Sequence, residues 1–125
     1  MNTDPCPCGL AADYLQCCGR YIESGISAPT PEALMRSRYS AYVRQKAGYL
    51  MKTWHPHNRP DLSVAELQNI DCLGLTVIRS QNGFKKGLVE FRARFRDQNG
   101  EHEMHEVSLF QKIKNHWYYD RPDTE

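Results

Sequence analysis

The chain has 125 residues, of which 40% are hydrophobic and 25% are charged. This composition is ordinary for a globular protein, and the length suits one domain with a core of its own. Sixteen basic and fifteen acidic residues leave a formal charge of +1, which does not favour a protein that finds nucleic acid by bulk electrostatics. No apolar run approaches the length of a membrane span, so we expect no membrane association.

The first element of the chain is a cysteine-rich segment. Four of the five cysteines lie within the first eighteen residues, as Cys6, Cys8, Cys17 and Cys18. A disulfide between the adjacent Cys17 and Cys18 would close a strained ring, and Cys6 and Cys8 are too close for an easy bridge. The residues before Cys6 are polar and contain no secretory h-region, so we expect a cytoplasmic protein with reduced thiols.

Reduced and clustered thiols favour zinc. Gly9 can take the positive φ that turns the chain back over the sulfur atoms, and the residues up to Gln16 suffice for a turn and a short helix that leads to Cys17. Four thiolates complete a tetrahedral zinc shell and leave no position for water or substrate, which predicts a structural zinc site. Unligated surface thiols and an iron–sulfur cluster are the alternatives.

A helical region follows the cysteines. Residues Gly19 to Pro29 are rich in glycine, serine and proline, which is typical of a linker. Thr30 can cap a helix that begins at Pro31, and we expect this helix to end at Gly48. Two shorter helices are predicted after it, from Tyr49 to Trp54 and from Ser63 through about Ile70.

One charged residue stands out in the long helix. At about 100° per residue, the apolar side chains share one broad arc, and Arg38 falls inside it. A cation on a stripe that faces the core needs a partner. The arc is formed by Leu34, Met35, Tyr39, Ala41, Tyr42 and Val43.

From Cys72 onward the pattern changes to an alternation of apolar and polar residues, which predicts strands. Two-residue turns at Asn82-Gly83, Asn99-Gly100 and Lys114-Asn115 would connect them into a four-stranded antiparallel meander. Helices followed by such a sheet give an α+β domain.

These turns also predict which residues face one another across the sheet. Aromatic residues dominate one face, which argues that this face meets the helices, and Glu106 is the exception on it. The predicted pairs are Phe95 with Met104, Ala93 with Glu106, Phe91 with Ser108, Val89 with Phe110, Cys72 with Ala93, Gly74 with Phe91, Thr76 with Val89, and Tyr119 with Phe110.

Small side chains surround Glu106 in this register, so we predict a cavity between the long helix and the middle of the sheet. Two interpretations stay open for its charged residues. Either Arg38 and Glu106 form a buried ion pair that fixes the helix on the sheet, or Arg38 holds an anionic ligand while Glu106, the candidate catalytic residue, moves a proton. His105 is a second candidate for that proton, although it points to the opposite face. The predicted pocket comprises Arg38, Tyr42, Cys72, Glu106, Ser108 and Tyr119.

The segment from Cys6 to Ile22 resembles the SEC-C motif, a small zinc element at the C-terminus of the SecA translocation ATPase and in many other proteins. Nearly the whole chain resembles the YchJ family of bacterial proteins. The segments that carry this second resemblance are Leu34–Val43, Thr53–Pro56, Arg59–Pro60, His105–Glu106 and Trp117–Tyr119.

The resemblance implies an SEC-C element at residues 1–24, with zinc on its four cysteines. It further implies a nuclear-transport-factor-2-like (cystatin-like) cone at residues 25–125, in which helices pack on a curved antiparallel sheet. It implies no particular reaction.

The sequence thus predicts a cytoplasmic binding or adaptor protein, in which the zinc element contacts a protein partner and the cone pocket takes a small molecule. The alternative is a small enzyme that acts on an anionic or carbonyl-containing metabolite, with Glu106 as base and Arg38 as anchor. A third hypothesis is nucleic-acid association through Arg92, Arg94 and Arg96, for which a solvated sheet face is the more ordinary explanation. A homodimer paired through the sheet is expected from the resemblance alone.

Overall fold

The structure, a computed structural model, describes residues 4–67 and 70–123. It confirms the α+β class, with short helices in the first half of the chain and one antiparallel sheet in the second half. None of the helices in these two ranges is long and apolar enough to cross a membrane.

The helical half differs from the prediction at its start. The helices are α1 Gly19–Ile22, α2 Pro31–Val43, α3 Ala47–Lys52 and α4 Val64–Leu67, and two 3-10 turns lie at Tyr14–Gln16 and Pro56–Asn58. The predicted linker is wrong at its first residues, because the chain continues from Cys18 into α1, with the Ile22 N–H bonded to the Cys18 carbonyl. The third predicted helix is present as α4, but residues 68 and 69 of that prediction lie outside the described residues.

The long helix α2 begins where the sequence predicts. Thr30 Oγ1 accepts a hydrogen bond from the N–H of Ala33 at 3.0 Å, which satisfies one of the free donors at the helix start. Pro31 follows as the first helical residue, where its fixed φ suits the helix and its missing N–H is not needed. The predicted cap is therefore confirmed.

The end of α2 was predicted wrongly, because the helix stops after Val43 rather than at Gly48. Gln45 takes a positive φ of 60°, and the N–H of Lys46 bonds back to the carbonyl of Ala41 at 2.8 Å. This bond is that of a Schellman motif, which usually has glycine in the left-handed position. Gly48 lies inside α3 instead, and α3 begins two residues before the predicted start.

The sheet has the predicted topology, with the strands antiparallel and adjacent in chain order. Its strands are β1 Asp71–Asn82, β2 Lys86–Asp97, β3 Gly100–Ile113 and β4 His116–Pro122. The last turn, Lys114–Asn115, has the predicted two residues, both with positive φ. The predicted pairing of Tyr119 with Phe110 is confirmed.

The register between β2 and β3 is shifted by two residues from the prediction. The turn is Gln98–Asn99, one residue earlier than predicted, and Asp97 Oδ1 supports it by accepting a hydrogen bond from the Asn99 N–H at 2.8 Å. A shift of two residues keeps each side chain on its face, so the predicted inner face of these strands is right while its pairs are wrong. The observed pairs are Ala93 with Met104, Phe91 with Glu106, Val89 with Ser108 and Gly87 with Phe110.

The three pairs predicted for β1 are also wrong. Residues 83–85 form the loop to β2, in place of the predicted Asn82-Gly83 turn, and two register shifts interrupt the strand. Such shifts move side chains to the other face, so Leu75 and Val77 pack on the core rather than Gly74 and Thr76. The observed pairs include Cys72 with Phe95, Leu75 with Ala93, Val77 with Phe91 and Ser80 with Val89.

The main core lies between α2 and the inner face of the sheet. Gly87 lets the start of α2 approach β2, since a Cβ at this position would lie 2.4 Å from Pro31 Cγ and 2.7 Å from the carbonyl oxygen of Gln81. The buried side chains of this core are Tyr21, Ala28, Leu34, Met35, Tyr39, Val89, Phe91, Phe110 and Trp117.

Candidate functional site

The N-terminal cysteines are brought together by a reversal of the chain and a short helical turn. Gly9 has the predicted positive φ, at 93°, and the N–H of Cys6 bonds to the carbonyl of Ala12 on the returning segment at 2.9 Å. Asp13 then caps a 3-10 turn with its carboxylate, and Cys17 follows that turn directly. The predicted path of the segment is confirmed.

The four cysteine side chains form one buried cluster. Their Sγ atoms all lie within 4.8 Å of one another, and Cys8 Sγ is 3.7 Å from Cys17 Sγ. This distance is too long for a disulfide bond of about 2.05 Å. Four sulfur atoms that surround a zinc ion at about 2.3 Å lie about 3.8 Å apart, so the cluster has the dimensions of a tetrahedral metal site. Its ligands would be Cys6, Cys8, Cys17 and Cys18.

Three of the four thiols in this cluster have shifted pKa values, and the shifts differ in direction. A hydrogen bond with Cys18 lowers the pKa of Cys8 to about 5, whereas burial raises the pKa of Cys17 to about 11. The hydrogen bond with Cys8 raises the pKa of Cys18. A divalent cation would displace the remaining protons, because metal ions bind the thiolate form.

The cysteine segment packs against α2 rather than extending away from the domain. Cys6 Sγ lies 3.6 Å from Ser40 Oγ, and Nη1 of Arg36 donates a hydrogen bond to the carbonyl oxygen of Cys8 at 2.8 Å. The helix is therefore covered on two sides, by the sheet and by the cysteines.

Arg44 adds a further polar contact between α2 and this segment. It forms an ion pair with Asp4, and its guanidinium carbon lies 3.8 Å from the centre of the Tyr14 ring. The roles of Arg36, Ser40 and Arg44 were not predicted from the sequence. All three lie outside the apolar arc or at its edge, and no local pattern shows that a second element covers that side of the helix.

A cavity of about 360 Å³ lies between α2 and the sheet. Gly74 does not line it, since the first register shift in β1 turns this residue away. Trp54, which was not predicted to belong to the pocket, does line it, because the segment after α3 forms a bridge to Tyr119. The six residues predicted to share a pocket all line this cavity: Arg38, Tyr42, Cys72, Glu106, Ser108 and Tyr119.

Arg38 is the buried cation of the cavity, with 6% of its surface exposed. Its Nη1 donates to the carbonyl oxygen of Leu50 at 2.8 Å and to Thr53 Oγ1 at 2.7 Å. Its guanidinium carbon lies 4.7 Å from the centre of the Trp54 ring and 4.8 Å from that of the Tyr119 ring. Burial lowers the pKa of Arg38 to about 10, so the side chain is still charged at neutral pH.

One edge of this guanidinium has no hydrogen-bond partner among the residues that the structure describes. Both hydrogen bonds of Arg38 use Nη1, so Nε and Nη2 donate to none of the described residues. Within residues 4–67 and 70–123, the indole N–H of Trp117 is the one polar side-chain atom that is fully buried without a partner. Nε and Nη2 of Arg38 also have no partner, so they are not fully buried. The free edge of Arg38 therefore contacts the open space of the cavity that it lines.

Glu106 lines the same cavity, and two hydrogen bonds hold its carboxylate in place. Its Oε2 accepts a hydrogen bond from the Ser108 hydroxyl and another, at 3.0 Å, from the Tyr119 hydroxyl. The ion pairs formed by the described residues do not include one between Glu106 and Arg38. The two charged groups are thus not joined directly, and Tyr119 contacts both of them.

Three further ionisable groups of the cavity stay protonated at neutral pH. Burial raises the pKa values of Tyr42, Cys72 and Tyr119. Tyr119 therefore keeps its proton and donates it to the hydrogen bond with Glu106, and Cys72 does not have the thiolate that a nucleophile needs.

His105, Arg92 and Arg96 lie on the other face of the sheet, whereas Arg94 is exposed and also borders the cavity. His105 Nε2 is 2.7 Å from Glu90 Oε2, so it is not placed to exchange a proton with Glu106. The arginines are offset by glutamates on β3, which gives this face mixed charge rather than the basic patch that nucleic acid requires. The pairs are Arg92 with Glu103, Arg94 with Glu101 and Arg96 with Glu101.

The domain with the cavity matches a known family. The family model described as "YchJ, middle NTF2-like domain" matches residues 30–122. The chain belongs to the YchJ family. A UPF0225 protein of Xanthomonas campestris pv. campestris (strain 8004) is 48% identical to it over 120 residues, which are 94% of this chain and 92% of that protein. The family resemblance found in the sequence is therefore confirmed.

Two solved structures are similar to this YchJ family member along nearly its whole length. The solution structure of an SEC-C motif containing protein from Rhodopseudomonas palustris has a TM-score of 0.86 and 36% identity, and the match covers 97% of this chain and 98% of that one. The crystal structure of an SEC-C motif containing protein from Psychrobacter arcticus has a TM-score of 0.80 and 32% identity, with 100% and 84% covered. The predicted combination of an SEC-C element with a nuclear-transport-factor-2-like domain is confirmed.

Proposed function

We propose that this protein binds a small anionic molecule in the cavity beneath α2, and that a structural zinc ion holds the cysteine segment against the other side of the same helix. The observation that carries the proposal is the free edge of Arg38, a buried guanidinium that borders about 360 Å³ of open space. A buried charge is costly unless it is paired. An anionic group on a ligand would complete the pairing.

The existing contacts of Arg38 favour a binding role over a purely structural one. A structural role needs only the bonds from Nη1 to Leu50 and Thr53, which tie α2 to the end of α3. The rings of Trp54 and Tyr119 lie against the guanidinium as well and limit its rotation. The free edge is thus held in one orientation before a ligand arrives, which reduces the entropy lost on binding.

Zinc is the metal that we propose for the cysteine cluster. Tetrahedral sites with four thiolates are typical of zinc and of iron–sulfur centres, and the 3.7 Å separation of Cys8 and Cys17 suits a single ion. With four protein ligands, the ion would have no open position for a substrate. Its contribution would be to link the two cysteine pairs and hold the segment in a fixed shape.

Elemental analysis of the purified protein tests the zinc proposal. We expect one zinc per chain, and we expect Cys17→Ser to lose it. Cys72→Ser is the matched control, because Cys72 lies in the cavity rather than in the cluster, and it should keep the metal. A metal-free native protein, or equal metal content in both variants, would contradict the proposal.

Native mass spectrometry of the purified protein tests the cavity proposal. We expect a retained small acid that Arg38→Met loses, since methionine keeps the apolar stem of the side chain but not its charge. Arg92→Met, on the outer face of the sheet, is the control and should retain the ligand. A ligand that stays bound equally in Arg38→Met would contradict the proposal. If the protein converts the ligand and Glu106→Gln stops that conversion without unfolding the chain, the enzyme hypothesis replaces a pure binding role.

The cysteine segment is the proposed contact for a protein partner. Leu10 and Leu15 are 47% and 62% exposed on this segment, and exposed apolar side chains are the kind that partner surfaces cover. We expect a cytoplasmic partner to co-purify with the zinc-loaded protein and to be lost with Leu15→Glu. Co-purification that is unchanged by this substitution and by removal of zinc would contradict the adaptor role.

A further inference from the structure

We infer that the ligand of the cavity is a small organic acid with an apolar body and a second polar group that donates a hydrogen bond, such as a hydroxyl or an amine. Its carboxylate contacts Arg38 and its donor contacts Glu106. This inference rests on the proposed function, because it specifies the molecule that the cavity binds. The two ends of the cavity and the walls between them each select one part of this molecule.

The Arg38 end of the cavity selects a carboxylate. The edge formed by Nε and Nη2 presents two parallel N–H groups, and this fork matches the two oxygens of a carboxylate. A phosphate dianion would require a second cation. The other cation among the described lining residues is Arg94, which is exposed and lies 3.9 Å from Glu101. One free cationic edge therefore fits a group with a single negative charge.

The Glu106 end selects a hydrogen-bond donor. Both hydrogen bonds to this carboxylate, from Ser108 and Tyr119, end on Oε2. In the part of the chain that the structure describes, Oε1 accepts no hydrogen bond. An ionised carboxylate accepts hydrogen bonds and cannot donate them, so a polar ligand group beside Oε1 has to donate. Two donors on one oxygen also fix the direction in which the other oxygen points.

The walls between the two ends favour an apolar body. Side chains of Met35, Phe91, Phe110 and Met104 line the cavity, and their surfaces gain most from apolar contact. A cavity of about 150 Å³ is enough to hold benzene, whereas this cavity has about 360 Å³. A single ring with a short acidic chain on one side and a donor on the other fits that volume.

Four probes of nearly equal size separate the parts of this inference. The probe with both groups is 3-(4-hydroxyphenyl)propionate. In 3-(4-methoxyphenyl)propionate the donor is methylated, 3-phenylpropionate lacks it, and 4-hydroxyphenethyl alcohol lacks the carboxylate. Binding of each to the zinc-loaded full chain is measured by isothermal titration calorimetry, with chemical-shift mapping by NMR to locate the site.

The hydroxylated acid is expected to bind about tenfold or more tightly than the methoxy acid, because a hydrogen bond to a charged group is worth at least that factor. Glu106→Leu should remove this advantage, so that the hydroxylated acid and the methoxy acid bind with the same affinity. Glu106→Gln, which keeps the shape of the side chain, serves if the leucine variant does not fold, and it should reduce the advantage. Arg38→Met should abolish binding of all three acids, whereas Arg92→Met should not affect it.

The outcomes that overturn the inference differ from those that overturn the proposed function. Equal affinities for the three acids, all dependent on Arg38, would overturn the inference and leave the binding role in place. The same holds if the advantage of the hydroxyl survives in both Glu106 variants. If none of the acids binds, or if binding is the same in Arg38→Met, both the inference and the proposed function are overturned.

Discussion

The centre of the Tyr119 ring lies 4.8 Å from the guanidinium carbon of Arg38, while the hydroxyl on the same ring donates a hydrogen bond to Glu106 at 3.0 Å. The backbone of Tyr119 is fixed as well, since its N–H donates to the carbonyl of Thr53 at 2.8 Å. The segment after α3 therefore lies beside β4 and carries Trp54 to the cavity. One residue of the last strand thus contacts both charged groups of the cavity.

Tyr119→Phe is expected to lower the free energy of unfolding by about 1–2 kcal/mol, because it removes a hydrogen bond to a charged group and keeps the ring. Tyr119→Leu should lower it further, since it also removes the aromatic contact with Arg38. Urea denaturation followed by circular dichroism measures both values. A phenylalanine variant as stable as the wild type would show that the hydroxyl of Tyr119 does not hold Glu106.

The close approach of α2 to the sheet predicts opposite effects for two glycine substitutions. Gly87→Ala should destabilise the protein by about 1–3 kcal/mol, because the added Cβ would lie 2.4 Å from Pro31 Cγ and 2.7 Å from a backbone oxygen. Gly48→Ala is the control, since it lies in α3 with nothing within 4 Å of the new Cβ. It should stabilise the helix by about 0.5–1 kcal/mol. Changes of the same sign in both variants would contradict this account of the helix–sheet contact.

Buried tyrosines predict a loss of stability in alkali. Burial raises the pKa of Tyr49 to about 12 from its ordinary value near 10. The folded state then holds the proton more tightly than the unfolded state, so the stabilisation is complete below about pH 10 and is lost as the pH rises toward 12. Tyr49→Phe should make the fall in unfolding free energy over this range less steep. Parallel pH profiles for the wild type and the variant would show that Tyr49 does not cause the fall.

Removal of the proposed zinc ion is expected to release the cysteine segment and leave the sheet folded. The cysteines form a cluster separate from the main core between α2 and the strands, and a small cluster of this kind depends on its ion. Amide spectra recorded with and without a chelator should lose the dispersed signals of residues 4–18 and keep those of β2 and β3. Dispersed N-terminal signals that persist in metal-free protein would mean that hydrogen bonds alone hold the segment.

Local chemistry made part of this fold predictable. Thr30 and Pro31 mark the start of α2 through capping and a fixed φ, and Gly9 marks the reversal between the cysteines. Both signals depend on neighbouring residues alone. The end of α2 was not predictable in this way, because Gln45 occupies a left-handed position that usually belongs to glycine.

The sequence predicts on which face of the sheet the site residues lie, but it does not predict which residues they pair with across the strands. Period-two alternation places Glu106 and Ser108 on the inner face, and a shift of two residues leaves them there. In β1 the register shifts break the alternation, and Gly74 moves to the outer face. The contact of Ser40 with Cys6 depends on where the cysteine segment packs. The sequence of α2 alone does not indicate that position.

The most direct test of the binding role is an NMR measurement on the Arg38 side chain itself. The Nε–H resonance of Arg38 is recorded while 3-(4-hydroxyphenyl)propionate is added, with the exposed Arg92 and Arg96, which do not line the cavity, as internal references. The account predicts a saturable shift of the Arg38 signal and slower exchange of its proton, with little change in the other two. A shift confined to the exposed arginines, or no saturable change at Arg38, would contradict it.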